Sequence, residues 1–285
     1  MRLLIFGVTV LFVGTPITAQ QDPPGSVLNL MHAYLRAYEA ELSSVVADEH
    51  FDQKFVSVRT RNVALGTAAR VRRRIESEVS FLRLPGQHQW LGFRDVRKVD
   101  GRPLRDPGPR VADLLQTSGN VLEQAQRIAN ASAAHNLGLP RTINVPTGVL
   151  EVLYPTHRAR FRYTPTGTSS IRGISASILA FEETVRPTVV RQPNGGNIVS
   201  SGRVWVESKT GRILKAEWFY DSEPHDPAIA VRPKLTVDFE FNKALGFMVP
   251  VRMEEVFSVP YGTGDGVAVY RNFRRFGTSA RVVPQ

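Results

Sequence analysis

Between Arg203 and Phe257 the chain repeats one pattern: runs of alternating apolar and polar residues, broken by short polar turns. In Leu235-Thr-Val-Asp-Phe-Glu-Phe241 every second residue is apolar, and the residues between are Thr236, Asp238 and Glu240. A period of two is the signature of a strand with one face buried and one face wet. Consecutive strands of this kind pair antiparallel with their neighbours in sequence. The spacing predicts strands over Arg158 to Tyr163, Ile174 to Thr184, Val204 to Glu207, Arg212 to Tyr220, Leu235 to Phe241, Phe247 to Phe257 and Val267 to Phe276. Ser208-Lys-Thr-Gly211 and Asn242 to Gly246 read as hairpin turns, and Gly262-Thr-Gly-Asp-Gly266 as a loop before the last strand.

The first half is mixed. Val27, Leu28, Met31, Tyr34, Leu35, Tyr38 and Leu42 recur at helical spacing behind Pro23-Pro24-Gly25-Ser26. A strand is expected at Phe55 to Val58, and a hairpin from Glu76 to Leu84 and Trp90 to Val99 around Pro85-Gly86. Asn120 with Glu123 is a variant capping box for a helix whose apolar face includes Ile128 and Ala133, with Gly138 as its stop. A short helix follows from Thr147 to Leu153. Helices gathered early and strands late give an α+β class: a curled antiparallel sheet, or half-barrel, with helices packed on one face.

The ends and composition bound where such a fold works. Met1-Arg2, the apolar run Leu3 to Val13 and the small Ala19 have the layout of a secretory signal peptide over residues 1–19, too short for a comfortable membrane span. Residues 20–285 then form a single α+β domain, helix-rich with a hairpin over 20–157 and stranded over 158–285, with no transmembrane span. The chain has no cysteine, which excludes disulfides, thiolate metal sites and a cysteine nucleophile. Its formal charge is +10, and only six of its 36 basic residues are lysine. Export makes nucleic acid an unexpected partner and directs attention to anionic lipid or an anionic envelope polymer, although arginine bias also follows from genomic composition.

Gly202-Arg-Val-Trp-Val-Glu-Ser-Lys-Thr-Gly-Arg-Ile-Leu-Lys-Ala-Glu217 and Gly246-Phe-Met-Val-Pro-Val-Arg-Met253 resemble the half-barrel of the LolA-like lipoprotein carriers and related periplasmic lipid binders. That resemblance covers the last third to half of the chain and rests on strand-turn patterns. It implies a sheet curled around helices, with acyl chains held against the concave apolar face. Trp90-Leu-Gly-Phe-Arg-Asp-Val96, Arg141-Thr-Ile-Asn-Val-Pro146 and Tyr270-Arg-Asn-Phe-Arg-Arg-Phe276 instead resemble secreted proteins of soil bacteria. No gating residue of the carriers matches a position here.

Leu214, Ala216, Trp218 and Tyr220 with Leu235, Val237, Phe239 and Phe241 are candidates for the concave ligand face. The alternative is that helices fill that face and make it ordinary core. Arg70, Arg72, Arg73 and Arg74 are candidates for an anionic-headgroup patch, against the alternative of a solvated, aggregation-resistant strand edge. There is no Gly-x-Ser-x-Gly, His-Glu-x-x-His or Gly-x-x-x-x-Gly-Lys motif, and the six histidines lack metal-ligand spacing. No catalytic, metal or cofactor residue is assigned. Glu182-Glu183 and Glu254-Glu255 each put one carboxylate on a buried strand face, where an arginine partner is expected. The expected function is non-enzymatic binding of an apolar or lipidated molecule in the periplasm or outside the cell. The alternative is an envelope interaction module with a packed core, binding a protein or an anionic polymer. The mature chain should begin at or near Gln20 and be released in soluble form; N-terminal sequencing that finds Met1 retained in the membrane fraction contradicts this.

Overall fold

The computed structural model describes residues 26–43, 45–57, 69–83, 90–105, 121–139, 141–192, 194–224 and 232–275. The signal segment, the Pro85-Gly86 turn and the Asn120 cap lie outside the described residues. Three α-helices are described: α1 (Val27–Leu42), α2 (Val121–Ala133) and α3 (Gly148–Leu153). The strands are β1 (Val45–Ser57), β2 (Arg70–Arg83), β3 (Trp90–Val99), β4 (Arg102–Pro103), β5 (Phe161–Ile171) and β6 (Ile174–Glu183) in the first part. Next come β7 (Val190–Arg191), β8 (Asn197–Glu207), β9 (Ile213–Glu223), β10 (Lys234–Asn242), β11 (Phe247–Val259) and β12 (Gly262–Arg275).

All pair antiparallel in one open sheet ordered β4-β3-β2-β1-β12-β11-β10-β9-β8-β6-β5, with β7 added beside β8. The crossover is the pairing of β1 with β12, which joins the two halves of the chain edge to edge. The sheet curls without closing, and α1 touches both β2 and β11 while α3 touches both β3 and β9. One continuous apolar cluster results, from Leu28 of α1 through Leu150 of α3 to Tyr270 of β12. The α+β half-barrel class is therefore the observed one.

The helices form where their stripes require. Ser26 caps α1 by accepting the Asn29 N–H at 3.2 Å. The α1 face carrying Leu28, Met31, Leu35, Tyr38 and Leu42 is buried against the sheet. In β10 the alternation holds through its centre: Val237 and Phe239 are each 1% exposed, Asp238 is half-buried and Glu240 is exposed.

Four local expectations are corrected. The expected strand at Phe55 to Val58 is the end of a longer one that begins at Val45. Arg158 lies in a 3-10 turn (Pro155–Arg160) rather than a strand, with Pro155 at the start where its missing N–H costs nothing. Residues 262–266 are not a loop but the opening of β12, and the turn is the two residues 260–261. The reason is steric. Gly264 pairs with Phe55 on one side and Phe257 on the other, and a side chain there would run into the Phe257 ring. Those two rings stack across it with centroids 6.2 Å apart. A Cβ on Gly266 would come within 2.6 Å of Phe51. Alternate glycines in β12 thus make room for aromatic side chains leaning in from its neighbours. The fourth correction is Phe241, which is 47% exposed. It lies next to the last residue of β10, under the Arg212 guanidinium and in a shallow hollow shared with Ile174, rather than in the core.

Replacing Phe239 by Ala should cost about 3–5 kcal/mol, the range for a closely packed aromatic. Replacing Glu240, whose ion pair with Arg172 is solvent-exposed, should cost less than about 1 kcal/mol. Denaturant melts giving the opposite order would put β10 in the other register.

Candidate functional site

Most of the concave wall is occupied. Leu214, Trp218, Leu235, Val237 and Phe239 are each 1% exposed, and Ala216 is fully buried. The Trp218 ring lies under α3: a Cβ on Gly148 would stand 3.1 Å from its Cζ3. Over this stretch the helices make core of the wall, and Trp218 is not at a pocket mouth. Phe241 lies at the opposite end of the sheet from Tyr220, so these residues do not form one ligand surface.

The unfilled part is the end of the concavity where β9 finishes and β8, β10 and β12 begin. A groove of about 810 Å³ opens there. Leu139, Ile143, Ile198, Phe257, Val259, Pro224 and Pro233 give it apolar walls, with Tyr220 on its floor side and Arg141, Arg191 and Asp221 as polar lining. Phe55, Leu137, Phe257 and Val259 form a small separate core beside it.

The segment joining α2 to α3, residues 134–147, crosses this opening as a strap, and two buried ion pairs hold it. Arg141 meets Glu255 of β11 at 2.5 Å and lies over the Phe257 ring at 3.6 Å. Its other N–H groups donate to the carbonyls of Leu137 (3.0 Å) and Leu139 (2.5 Å). Further along, Arg94 of β3 pairs with Glu49 of β1 at 2.5 Å and donates to the Asn144 carbonyl at 3.0 Å. Ser77 donates to the same Glu49 carboxylate at 2.9 Å. Gln53 accepts the Leu137 N–H at 2.9 Å, and Asn136 donates to the Arg141 carbonyl at 2.8 Å. Neither carboxylate side chain is exposed at all. Charges this deep are tolerable only when paired, and each carboxylate here has its own arginine, while Gln53 Nε2 and Asn144 Oδ1 in the same network have no partner among the described residues.

Several buried polar atoms around the groove have no hydrogen-bond partner among the described residues, including the Tyr220 hydroxyl, the Trp218 indole nitrogen and Asp221 Oδ1 beside the groove, and Gln53 Nε2, Asn144 Oδ1 and Thr147 Oγ1 along the strap. Burial, aided by the nearby Glu255 charge, pushes the Tyr220 phenol well above the usual range, so it stays a neutral O–H. The two rings touch, with centroids 5.2 Å apart.

The arginines expected to form one patch are divided by strand alternation. Arg70 and Arg72 are exposed, and Arg74 pairs with Asp52 at 2.9 Å. Arg73 points to the opposite face and donates to the His135 carbonyl at 2.9 Å. The buried carboxylates behave as expected. Glu255 finds Arg141, and Glu183 lies 3.7 Å from Arg160 while accepting the backbone N–H of Val189 at 2.6 Å and of Ser200 at 3.3 Å. Desolvation raises the Glu183 pKa against those hydrogen bonds. The partners Arg141 and Arg94 were not identifiable beforehand. Their one sequence signal is that arginines so rich in donors can satisfy an interior carboxylate. Among the described residues no group of three His, Asp or Glu side chains is arranged to hold a metal ion. A second hollow, about 490 Å³ on the convex face, is lined by Arg162, Arg203, Arg232 and Phe219. Each of those arginines is already paired, with Glu182, Glu217 and Asp221 respectively.

No protein-family model matches this chain, and a search of curated proteins finds no match. Among solved structures, the chain is similar to a domain described as outer membrane lipoprotein-sorting from Vibrio parahaemolyticus. That match has 11% identity and a TM-score of 0.44, covering 90% of this chain and 94% of that one. A LolA superfamily protein from Nitrosomonas europaea matches with 14% identity and a TM-score of 0.32, covering 89% and 94%. A DUF1329 family protein from Desulfovibrio piger matches with 11% identity and a TM-score of 0.37, covering 91% and 96%. The structural neighbours thus include lipoprotein-sorting and LolA superfamily proteins. Identity and TM-score are low throughout, so the functional reading rests on the groove itself.

Replacing Arg141 by Met should destabilise the protein by about 3–5 kcal/mol, because Glu255 is left charged and buried. Adding Glu255→Leu should recover most of that loss. A double variant no more stable than Arg141→Met, measured by denaturant melts, would show that the pair is not the source of the cost.

Proposed function

We propose that this protein is a non-enzymatic binder, exported to the periplasm or beyond, that holds an apolar or lipidated molecule in the groove beside the 134–147 strap. The observation that carries this reading is the groove: an apolar-walled opening on the concave side of a half-barrel whose remaining concave surface is filled by helices. Its volume of about 810 Å³ is within the range of small-ligand sites, and its apolar residues stand beside polar ones that include Arg191, Gln192, Asp221 and Glu223. Leu139, 45% exposed at the rim, offers further apolar surface to an entering chain. The residues meant to hold the ligand are accordingly Tyr220, Ile198, Phe257 and Val259, not the buried wall from Leu214 to Phe239.

A second reading, an envelope interaction module that binds a protein or an anionic polymer, is favoured by the filled wall around Trp218 and Phe239. The two separate on ligand content. Native mass spectrometry of the purified exported protein should find co-purified lipid, and a fluorescent acyl probe should bind in competition with it. Ile198→Arg, which puts a charge on the groove wall, should weaken probe binding at least about tenfold in protein that circular dichroism shows to be folded. Probe binding that ignores Ile198→Arg, or an absence of binding by any acyl ligand, favours the interaction module.

A further inference from the structure

The end of the sheet opposite the groove has its own chemistry. Three hairpin turns, at residues 171–174, 208–212 and 242–246, join successive antiparallel strands and so all stand at the same pole. They are in contact: Arg172 donates to the Phe239 carbonyl and pairs with Glu240 at 3.5 Å. Arg172, Ile174, Arg212, Phe241 and Met248 share one shallow hollow of about 230 Å³. The amino end of α1 rests on the same pole, since a Cβ on Gly211 would collide with the backbone at Leu30.

Two features of this pole are unlike an ordinary solvated end. Phe241 is 47% and Ile174 37% exposed, and Ile171 and Leu245 beside them are half-buried. Phe241 continues the alternation of β10 yet is exposed, and it shares a hollow with Ile174, so the exposed apolar surface is one patch rather than scattered single residues. The three turns also carry Arg172, Lys209, Arg212 and Lys243 and no acidic residue. Glu207 and Glu240 line the same hollow, Glu240 paired with Arg172 and Glu207 accepting the Thr210 hydroxyl, so the excess positive charge of the pole lies on the exposed Lys209 and Lys243. Arg212 lies over the Phe241 ring at 5.2 Å, so cation and apolar surface are presented together.

We propose that this pole docks on the surface of an anionic lipid bilayer. Phe241 and Ile174 enter the headgroup region, and Arg172, Lys209, Arg212 and Lys243 reach lipid phosphates around them. Long basic side chains beside apolar ones suit that interface, because their stems lie along apolar surface while their charges stay at the phosphate level. A protein or polymer partner would match the charge or the exposed aromatic, whereas a bilayer surface matches both at one depth. The inference does not depend on the groove, which opens at the other pole.

The test is flotation of the full exported chain with vesicles of phosphatidylcholine alone and of phosphatidylcholine mixed with phosphatidylglycerol. Binding is expected to the mixed vesicles, falling as salt is raised. Phe241→Ser with Ile174→Ser should reduce it about tenfold, and Lys209→Glu with Lys243→Glu should reduce it further still. Arg70→Glu with Arg72→Glu makes the same charge change at the groove pole on exposed positions and should leave binding close to that of the parent protein. Circular dichroism melts check that each variant is folded. The proposal is overturned if mixed vesicles do not float the protein, or if the Arg70/Arg72 variant loses as much binding as the turn variants. It is equally overturned if sedimentation velocity shows that Phe241 instead holds two copies of the chain together.

Discussion

Two arginine–glutamate pairs, Arg141 with Glu255 and Arg94 with Glu49, decide the shape of the concave side. Each is almost wholly removed from water, and each ties the 134–147 strap to a strand on a different part of the sheet, β11 in one case and β1 and β3 in the other. Buried ion pairs contribute little net stability, because desolvation consumes most of the attraction. Their effect is positional. An apolar strap could slide across the opening and settle at several heights, whereas one whose carbonyls at Leu137, Leu139 and Asn144 are claimed by fixed guanidinium groups has a single place. The groove is the space that this placement leaves between the strap and β8, β9 and β11. The pairs therefore act through geometry.

The same economy explains β12. Its glycines allow Phe55 and Phe257 to stack over Gly264, and Arg141 lies on the far face of that aromatic layer. A side chain at 262 would run into the Phe55 ring and one at 264 into the Phe257 ring, so neither ring could keep its place. The curl of the sheet, the floor of the groove and the anchorage of the strap thus converge on one cross-strand row, Phe55–Gly264–Phe257.

Period-two and helical spacing made most elements legible in the sequence, because elements such as α1 and β9 bury a face matching their own periodicity. The Gly262 to Gly266 segment misled for an instructive reason. Glycine spacing is a turn signal in isolation, and only neighbours such as Phe55, some two hundred residues away, turn it into a strand with vacated positions. Phe241 misled because alternation describes a strand but not where the core beneath it ends. Of the candidate site, Tyr220 was legible as an inward-facing aromatic. Arg141 was not: it acts on Glu255 across the fold, a separation of 114 residues, and no local pattern carries that pairing.

What remains is the relation between the two poles. β11 has 13 residues, so at about 3.3 Å per residue the groove and the Phe241 turn stand about 40 Å apart. That exceeds the thickness of a bilayer's hydrocarbon core, about 30 Å. A molecule docked through Phe241 and Ile174 would therefore hold its groove clear of the headgroups, facing away from the membrane. Cargo in the groove could not slide directly from that bilayer along the protein. It would have to enter from the opposite side, from solution or from a partner that presents it. Under the two proposals, docking at one pole and loading at the other would be separate events in space. The rigid sheet between them fixes the distance, and the strap held by Arg141 and Arg94 fixes the shape of the opening that faces outward.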